Sequence, residues 1–516
     1  HLAESLRTNT DNNKARVLRA LLSRKEGKDE EALRELESLL DEDPLDHWAL
    51  HALGELTGDL SAFLHRSRND AQTILDVAFD YLQAGFTAEA LRLLECHHEQ
   101  AVTEAPVPNP LRRTLTTRYL RAWLLEQTGE TSAGGAVLEE AKNQPVHYFF
   151  PSRIEEELLL RWVLQKSPVD ARAGYGLGNL LYDKRRYTEA VAAWRNSLGI
   201  EELAPTCRNL GIAHWNVDRD ERMAESMFLR AHELDPEDAR IIFEYDQLRR
   251  KLNHSPEERL QWLLERRDLV LQRDDACVEM ATLYNLCGQP ANAYELLRSR
   301  PFHPWEGGEG KVLRQYSTAC LLLGQEALEG GEPEKAADFF HQSIDTPDSL
   351  GEKYHPLQAK ADVYYWLGKA ARAKGDETAA ADWFRKSSAE TGDFRDMAVQ
   401  GYSELSYFCG CSLSELGENE QARQLFEAML AYAKEKETET PRIDYFATSL
   451  PRLLVFEEDI ETVHATEVAL LKAYACLGLG EEGAAFEHYE NALRLTASDI
   501  RLIHLRESLP QGTAVR

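Results

Sequence analysis

The segment that most suggests chemistry is Trp305-Glu-Gly-Gly-Glu-Gly-Lys311, a glycine-rich run that ends in lysine. A phosphate-binding loop has a glycine, four further residues, a Gly-Lys pair and then Ser or Thr. Trp305 stands in the first of these positions and Val312 in the last, so the pattern fails twice. We interpret the run as a loop between two helical repeats. The alternative is a ligand-binding loop formed by His303, Trp305, Glu306 and Glu309.

Other reactive side chains form no recognisable site. Gly174, Gly176 and Gly178 fall within a predicted helix and not after a strand, so they do not make a dinucleotide-binding turn. The densest group of metal-binding residue types is Cys96-His97-His98-Glu99, placed where a helix is expected to end. Adjacent residues of a helix face different directions, so this group is not expected to share an ion. We predict no metal, no cofactor and no catalytic residue.

Composition excludes several classes of partner. The 516 residues carry a formal charge of -29. Nucleic acids and anionic membranes are bound through clustered Lys and Arg, so neither is an expected partner. No apolar run is long enough for a membrane-spanning helix, and the eight cysteines contain no C-x-x-C pair, which favours a reducing, cytoplasmic location. The chain begins at His1-Leu2 without methionine, and we expect it to be a piece of a longer protein.

An internal period indicates the elements that position these residues. Small residues recur at about positions 8, 20 and 27 of a unit of about 34 residues, and a large apolar residue recurs near position 24. Two antiparallel helices cross closely only where side chains are small, and the large residue fills the adjoining groove. The clearest unit spans 170–202, with Gly178, Ala190, Trp194 and Ser197 in these positions. The pattern predicts an all-α solenoid of helical hairpins, a right-handed superhelix of roughly eleven repeats.

Departures from the period are also informative. The unit that carries Ala224, Phe228 and Ala231 has one extra residue between its helices, and a degenerate unit is predicted over 241–267. Glycines near position 15 are expected in the left-handed conformation that ends a helix. The predicted organisation is 1–165 (N-terminal repeats), 166–300 (regular repeats), 301–315 (interrupting loop), 316–498 (C-terminal repeats with an insertion near 438–460) and 499–516 (a polar-faced capping helix and tail).

The first helix of each hairpin lines the concave face of such a solenoid. The positions of this helix that point into the concave face are therefore candidate binding residues. These positions hold aromatic and arginine side chains, which interfaces enrich. The alternative is that several of them pack against neighbouring repeats. The candidates are Arg172, Tyr175, Asn179, Tyr182, Arg208, Asn209, Trp215, Tyr245, Tyr365, Arg372 and Tyr407. Asn216 falls in another of these positions.

In its repeat positions the chain resembles the tetratricopeptide family over nearly its whole length. Three stretches outside the pattern, at 300–311, 353–357 and 443–451, resemble the C-terminal repeat half of large bacterial proteins. The N-terminal half of those proteins is an uncharacterised β-rich domain, suspected of a carbohydrate-related role. The resemblance implies that such a domain is missing from this chain and could be one of its partners.

The tetratricopeptide resemblance also implies a way of gripping peptides. Family members use asparagines at position 9 of one unit and position 6 of the next to pair with a peptide backbone, and Asn179 and Asn209 occupy these positions. The basic positions that clamp a terminal carboxylate in chaperone-tail receptors hold Tyr175, Ile242 and Asp246 instead. A chaperone-tail receptor is therefore disfavoured.

Two functions follow from these patterns. The first is a scaffold that binds a protein or peptide on its concave face. The second is the accessory or catalytic half of a carbohydrate-active protein, with its site at the off-pattern loops, where the candidates are His303, Trp305, Glu306, Glu309, Asp444 and Tyr445. We favour the scaffold, so a binding protein is expected in preference to an enzyme.

Overall fold

The computed structural model describes residues 1–103, 114–305, 307–390, 392–395, 398–442 and 455–509. The chain divides into two compact units, His1–Leu210 and Gly211–Arg516. Helices make up nearly all of the regular structure, which confirms the predicted all-α repeat fold. None of the described helices combines the length and apolar character needed to cross a membrane.

The regular structure in the described part of the first unit is helical. Its helices are α1 (Leu2–Thr8), α2 (Asn13–Lys25), α3 (Asp29–Glu42), α4 (His47–Thr57), α5 (Ser61–Ser67), α6 (Ala71–Gln83), α7 (Thr87–Thr103), α8 (Leu115–Gln127), α9 (Thr131–Ala141), α10 (Ile154–Lys166), α11 (Ala171–Asp183) and α12 (Tyr187–Ile200). Helix α13 (Ala204–Ala213) contains the boundary between the units. Helix α7 runs through His97, so the expectation that a helix ends at this group was wrong; His97 is buried and its Nδ1 lies 2.7 Å from Asn69 Oδ1.

The second unit continues the helical pattern. After a π-helical turn (His214–Asp218) come α14 (Glu221–Leu234), α15 (Ala239–Lys251), α16 (Pro256–Leu264), α17 (Arg267–Val270), α18 (Asp274–Leu286), α19 (Pro290–Arg298), α20 (Lys311–Glu329), α21 (Pro333–Ile344), a 3₁₀ turn (Asp348–Leu350), α22 (Ala361–Ala373), α23 (Glu377–Ser388), α24 (Leu405–Glu415), α25 (Asn419–Lys436), α26 (Ile460–Gly478), α27 (Glu482–Leu495) and α28 (Arg501–Ser508). Two short antiparallel strands, β1 (Asp393–Arg395) and β2 (Ala398–Gln400), are a departure from the all-helical pattern.

The helices of a hairpin cross closely at the small residues, as the sequence pattern predicted. A Cβ added to Gly178 would lie 2.3 Å from the Trp194 ring, and one added to Gly368 would lie 2.5 Å from the Phe384 ring. Gly324 and Gly410 stand in the same relation to the aromatic residue sixteen positions later. The missing side chain therefore lets the large ring of the second helix lie directly on the first helix.

The extra residue found in the sequence is absorbed by the π-helical turn His214–Asp218. Gly211 packs against Phe228 as the other glycines pack against their aromatic partners, but one residue further along the chain. A π-helical turn widens the helix by one residue, so the hairpin keeps its crossing although its first helix is longer.

The glycines predicted to end the first helices have positive φ, between 68° and 91°: Gly27, Gly85, Gly129, Gly288, Gly331, Gly375, Gly417 and Gly480. At Gly85 the helix ends with Phe86 N–H donating to Tyr81 C=O, as in the Schellman motif. A helix, α28, lies where the capping helix was predicted, but Leu502, Ile503 and Leu505 are buried, and Ile503 belongs to a core cluster with residues of α18 and α20. The helix therefore packs within the unit, and its capping role stays a prediction.

Candidate functional site

In the first unit, the two asparagines predicted to grip a peptide lie side by side on α11 and α13. Asn209 Nδ2 donates to Asn179 Oδ1 over 2.8 Å, and Trp194 Nε1 donates to the same oxygen over 3.1 Å. Arg208 Nη1 donates to Asn209 Oδ1 over 2.9 Å. The two asparagines are thus neighbours, and their amides form a hydrogen bond with each other. A peptide bound there would have to replace that bond.

The remaining candidates of the first unit are partly used in packing. Tyr175 is buried, so the alternative of internal packing applies to it. Tyr182 is half-buried, with its ring 5.3 Å from the Trp194 ring. Arg172 pairs with Glu201 and donates through Nε to the Gln144 carbonyl oxygen over 3.0 Å.

In the second unit, the π-helical turn carries an asparagine that holds a distant segment of the backbone. Asn216 Nδ2 donates to the Val455 carbonyl oxygen over 3.0 Å, and Glu457 N–H donates to Asn216 Oδ1 over 2.9 Å. Trp215 Nε1 makes a longer bond, 3.5 Å, to the Glu457 carbonyl oxygen. The Asn216 amide therefore bonds a backbone C=O before Phe456 and a backbone N–H after it. We call Trp215, Asn216, Arg219 and Lys251 the clamp.

The residue between these two backbone groups is Phe456, whose side chain is 4% exposed. Its ring centroid lies 6.3 Å from that of Trp215, edge to face, and 5.6 Å from that of Phe228. Phe228 in turn stacks on Tyr245 at 6.3 Å. Aromatic rings in these arrangements stabilise each other beyond the area they bury. The predicted candidates Trp215 and Tyr245 thus lie in one aromatic cluster, although Tyr245 itself is buried.

The acids that follow Phe456 meet basic side chains. Glu457 pairs with Arg219 at 2.6 Å, and both side chains are more than half exposed. Glu458 pairs with Lys251 at 2.7 Å, where the lysine is largely buried. Burial lowers the pKa of Lys251, while Glu458 acts in the opposite direction. The sequence pattern identified Trp215 and Asn216, but it missed Arg219, Lys251 and the segment they hold. The one available signal was the extra residue in this repeat.

The other predicted candidates of the second unit lie on α22 and α24. Tyr365 is half-buried against Phe384 and Phe408, with ring centroids 5.9 and 5.7 Å away. Arg372 and Lys369 both pair with Glu415, the lysine at 3.0 Å. Tyr407 is half-buried and its ring lies 5.4 Å from that of Tyr474. These side chains are neighbours, and their charges are matched within the unit.

Helix α28 reaches the same group of helices. The His504 ring lies 6.4 Å from that of Phe408, and Tyr474 Oη donates to the Arg501 carbonyl oxygen over 2.9 Å. Arg501 also pairs with Asp499 at 2.7 Å. Helix α28 is therefore in contact with α24, which carries the predicted candidate Tyr407.

The glycine-rich loop turns its aromatic residue inward. Trp305 packs beside the hydrophobic core of the unit, and a Cβ on Gly308 would lie 2.1 Å from its ring. Glu309 accepts a hydrogen bond from Gly307 N–H over 2.8 Å, and the exposed His303 lies 3.1 Å from Asp274. These side chains stabilise the loop itself. The other three predicted residues, Glu306, Asp444 and Tyr445, lie outside the described residues.

The glycine-rich stretch 300–311 contacts Ser349 and Glu352, which lie just before the off-pattern stretch 353–357. Phe302 N–H donates to the Ser349 carbonyl oxygen over 2.8 Å. Glu352 accepts from Gly310 N–H and Leu313 N–H over 2.7 and 2.8 Å, so its carboxylate caps the first turn of α20. These contacts have a structural result, the anchoring of α20. In the described part of the chain, no three His, Cys, Asp or Glu side chains are grouped as metal ligands.

A family model agrees with the repeat geometry. The model of the tetratricopeptide repeat family matches residues 156–198 and 321–392. These segments contain the Gly178–Trp194 and Gly368–Phe384 crossings. A tetratricopeptide repeat protein from Parabacteroides merdae is 15% identical, with 58% of this chain and 98% of that chain covered and a TM-score of 0.25.

Two further solved structures show similar likeness. The Cut9–Hcn1 hetero-tetramer of the APC/C is 14% identical, covering 95% of each chain, with a TM-score of 0.27. The protein TTC0263 from Thermus thermophilus, a thermophilic repeat protein, is 16% identical, covering 46% of this chain and 98% of that chain, with a TM-score of 0.19.

Proposed function

Since this chain carries tetratricopeptide repeats, we propose that it is a scaffold that binds a protein or peptide through the first helices of its repeats. The observation that carries the proposal is the backbone grip of Asn216 on Val455 and Glu457. A side-chain amide that pairs with C=O and N–H groups recognises a peptide main chain whatever its side chains are. Binding of other chains by the same chemistry is the function that best uses it.

The composition of the candidate residues supports the same function. Trp and Arg are the side chains that contribute most to binding energy in protein interfaces. Trp215 and Asn216 are half-buried, so part of each remains accessible from solvent. The charge of -29 supports a protein partner over nucleic acid or an anionic membrane, because both of those attract basic surfaces.

No observation on the described residues favours the carbohydrate alternative. Sugar binding requires an aromatic face open to solvent beside carboxylates, whereas Trp305 packs against the core of the unit. Carbohydrate binding therefore stays a prediction, and its other residues, Asp444 and Tyr445, lie outside the described part of the chain.

The proposal is tested by panning a random peptide library against the whole chain. We expect selected peptides whose binding falls at least about tenfold in Asn216→Ala or in Asn209→Ala, because each change removes a backbone-pairing amide. The matched control is Asn292→Ala, which removes an exposed asparagine on the second helix of a hairpin. Failure to select any peptide, or equal binding by all variants, would contradict the proposal.

A further inference from the structure

We propose that the clamp is a specific site for a partner peptide with an aromatic residue followed by two acids, and that residues Val455–Asp459 of this chain occupy it in the absence of that partner. The inference deepens the proposed scaffold function and rests on it. It names the class of peptide that the clamp binds, and it adds that a segment of the same chain competes with that peptide for the clamp. The evidence is that each feature of Val-Phe-Glu-Glu meets a matching group on the clamp.

The first matching feature is the aromatic anchor. Phe456 is 4% exposed although it lies outside any helix or strand, and it inserts between Trp215 and Phe228. Burial of a Phe side chain removes a large apolar surface from water and therefore favours binding. Phe228 is held in place because it also packs on Gly211 of the first helix. The pocket is therefore built from the repeat framework, independently of the segment that fills it.

The second feature is recognition of the peptide backbone on both sides of that anchor. Asn216 makes two hydrogen bonds at 2.9 and 3.0 Å to groups that flank Phe456. These bonds fix the position of the anchor relative to the pocket. The asparagine lies in the π-helical turn, the place where this repeat departs from the others. Such turns occur often at functional sites, since the widened helix redirects its side chains.

The third feature is charge. Arg219 pairs with Glu457 at 2.6 Å, and Lys251 pairs with Glu458 at 2.7 Å. The site thus presents two basic side chains to the two acids. It selects an acidic ligand and rejects a basic one, because like charges placed together in a site oppose binding.

Occupation by the chain's own segment has a regulatory consequence. A site that is open only part of the time binds an external ligand with an apparent affinity reduced by the open fraction. A segment on the same chain competes at a high effective concentration. A partner that carries the aromatic–acidic sequence would thus be bound only when it is abundant or multivalent, or when Val455–Asp459 is displaced.

The test measures binding of a fluorescein-labelled peptide, Val-Phe-Glu-Glu-Asp, to the full chain. The double variant Glu457→Ala/Glu458→Ala weakens binding of the internal segment to the clamp, and both of its positions are exposed or half-exposed. Phe456→Ser removes the aromatic anchor of that segment. We expect both variants to bind the peptide at least about tenfold more tightly than the unchanged chain. Adding Asn216→Ala should abolish that gain. Glu461→Lys, an exposed change just beyond the segment, is the matched control and should leave affinity unchanged.

Peptides with the phenylalanine changed to alanine, or both acids changed to lysine, should bind at least about tenfold more weakly. Equal affinity of opened and unchanged chains, with thermal unfolding showing both folded, would overturn the inference. So would a dimer of the unchanged chain in sedimentation that Phe456→Ser abolishes, since the segment would then serve a second copy. Library peptides that still bind these variants, without competition from Val-Phe-Glu-Glu-Asp, would leave the scaffold function standing while removing this inference.

Discussion

At the scale of single residues, the second unit is distinguished by a fully buried arginine. Arg259 pairs with Asp246 at 2.6 Å and Glu279 at 2.5 Å, and Arg259 Nη1 donates to Ser498 Oγ over 2.8 Å. Burial by itself would raise the pKa of Glu279, but the guanidinium groups of Arg250 and Arg259 outweigh it and lower that pKa to about 2. The cluster joins α15, α16 and α18 to the chain segment before α28.

Replacing Arg259 by methionine should therefore be strongly destabilising. The change leaves Asp246 and Glu279 buried without their cation, and loss of one partner of a buried ion pair costs about 3–5 kcal/mol. Arg385→Met, which breaks an exposed pair with Asp382, should cost less than about 1 kcal/mol. Urea unfolding of the two variants checks the difference. Similar losses in both would show that the buried cluster contributes little.

A buried histidine should make stability depend on pH. Burial lowers the pKa of His504 from 6.5 to about 4, so the unfolded chain binds a proton that the folded chain does not between these values. Stability is then lost as the pH falls from 6.5 to 4, by up to about 3 kcal/mol. Burial raises the pKa of Glu507 on the same helix to about 7, which acts in the opposite direction.

The contribution of His504 is isolated by comparison with His504→Leu. The difference in free energy of unfolding between the two chains should change by about 3 kcal/mol across pH 4 to 6.5 and stay constant above pH 7. His341→Gln, at an exposed position, should follow the unchanged chain throughout. A constant difference for His504→Leu over the whole range would contradict the assignment.

At the scale of elements, the hairpins depend on glycines at helix crossings. Gly368→Ala on α22 would place its Cβ 2.5 Å from the Phe384 ring of α23. Overpacking of this kind costs about 1–3 kcal/mol. Phe384→Leu should recover part of the loss in the double variant, which thermal or urea unfolding of all four chains measures as a coupling energy.

A helical glycine in open space provides the control for that prediction. Gly483 lies in the first turn of α27 with no atom near its added Cβ. Gly483→Ala should stabilise the chain slightly, by up to about 1 kcal/mol, because alanine is the better helix former. Equal effects at Gly368 and Gly483 would show that helix propensity, and not the crossing, decides the result.

At the scale of the whole molecule, the excess of carboxylates sets a repulsive field. A charge of -29 opposes compaction of the chain through repulsion between like charges. Raising NaCl from about 20 mM to about 500 mM shortens the Debye length to a few ångströms. We expect the Tm to rise by about 2–5 °C, measured by circular dichroism, because screening favours the compact state more than it weakens exposed ion pairs. A fall in Tm would mean that the loss of exposed ion pairs outweighs the relief of repulsion. KCl is the control and should give the same change as NaCl.

The sequence by itself determined the repeat architecture. Gly178 and Trp194, sixteen residues apart, reveal a helix crossing because both residues belong to one hairpin and local spacing fixes their contact. The extra residue before Phe228 was likewise detectable, since the neighbouring units supply the register. First-helix positions such as Trp215 and Asn216 follow from the same period. These features are local or repeated, so the pattern of side-chain sizes is sufficient to find them.

Only the tertiary structure decided which of these positions have partners. Asn216 meets Val455 and Arg259 meets Ser498, each across about 240 residues. No period relates such segments, because their approach is the accumulated result of small rotations between many successive repeats. For the same reason the sequence placed Trp305 in a candidate ligand loop, while the fold directs its ring to the core. Spacing identifies the first-helix positions, and the arrangement of the whole unit decides which residues lie against them.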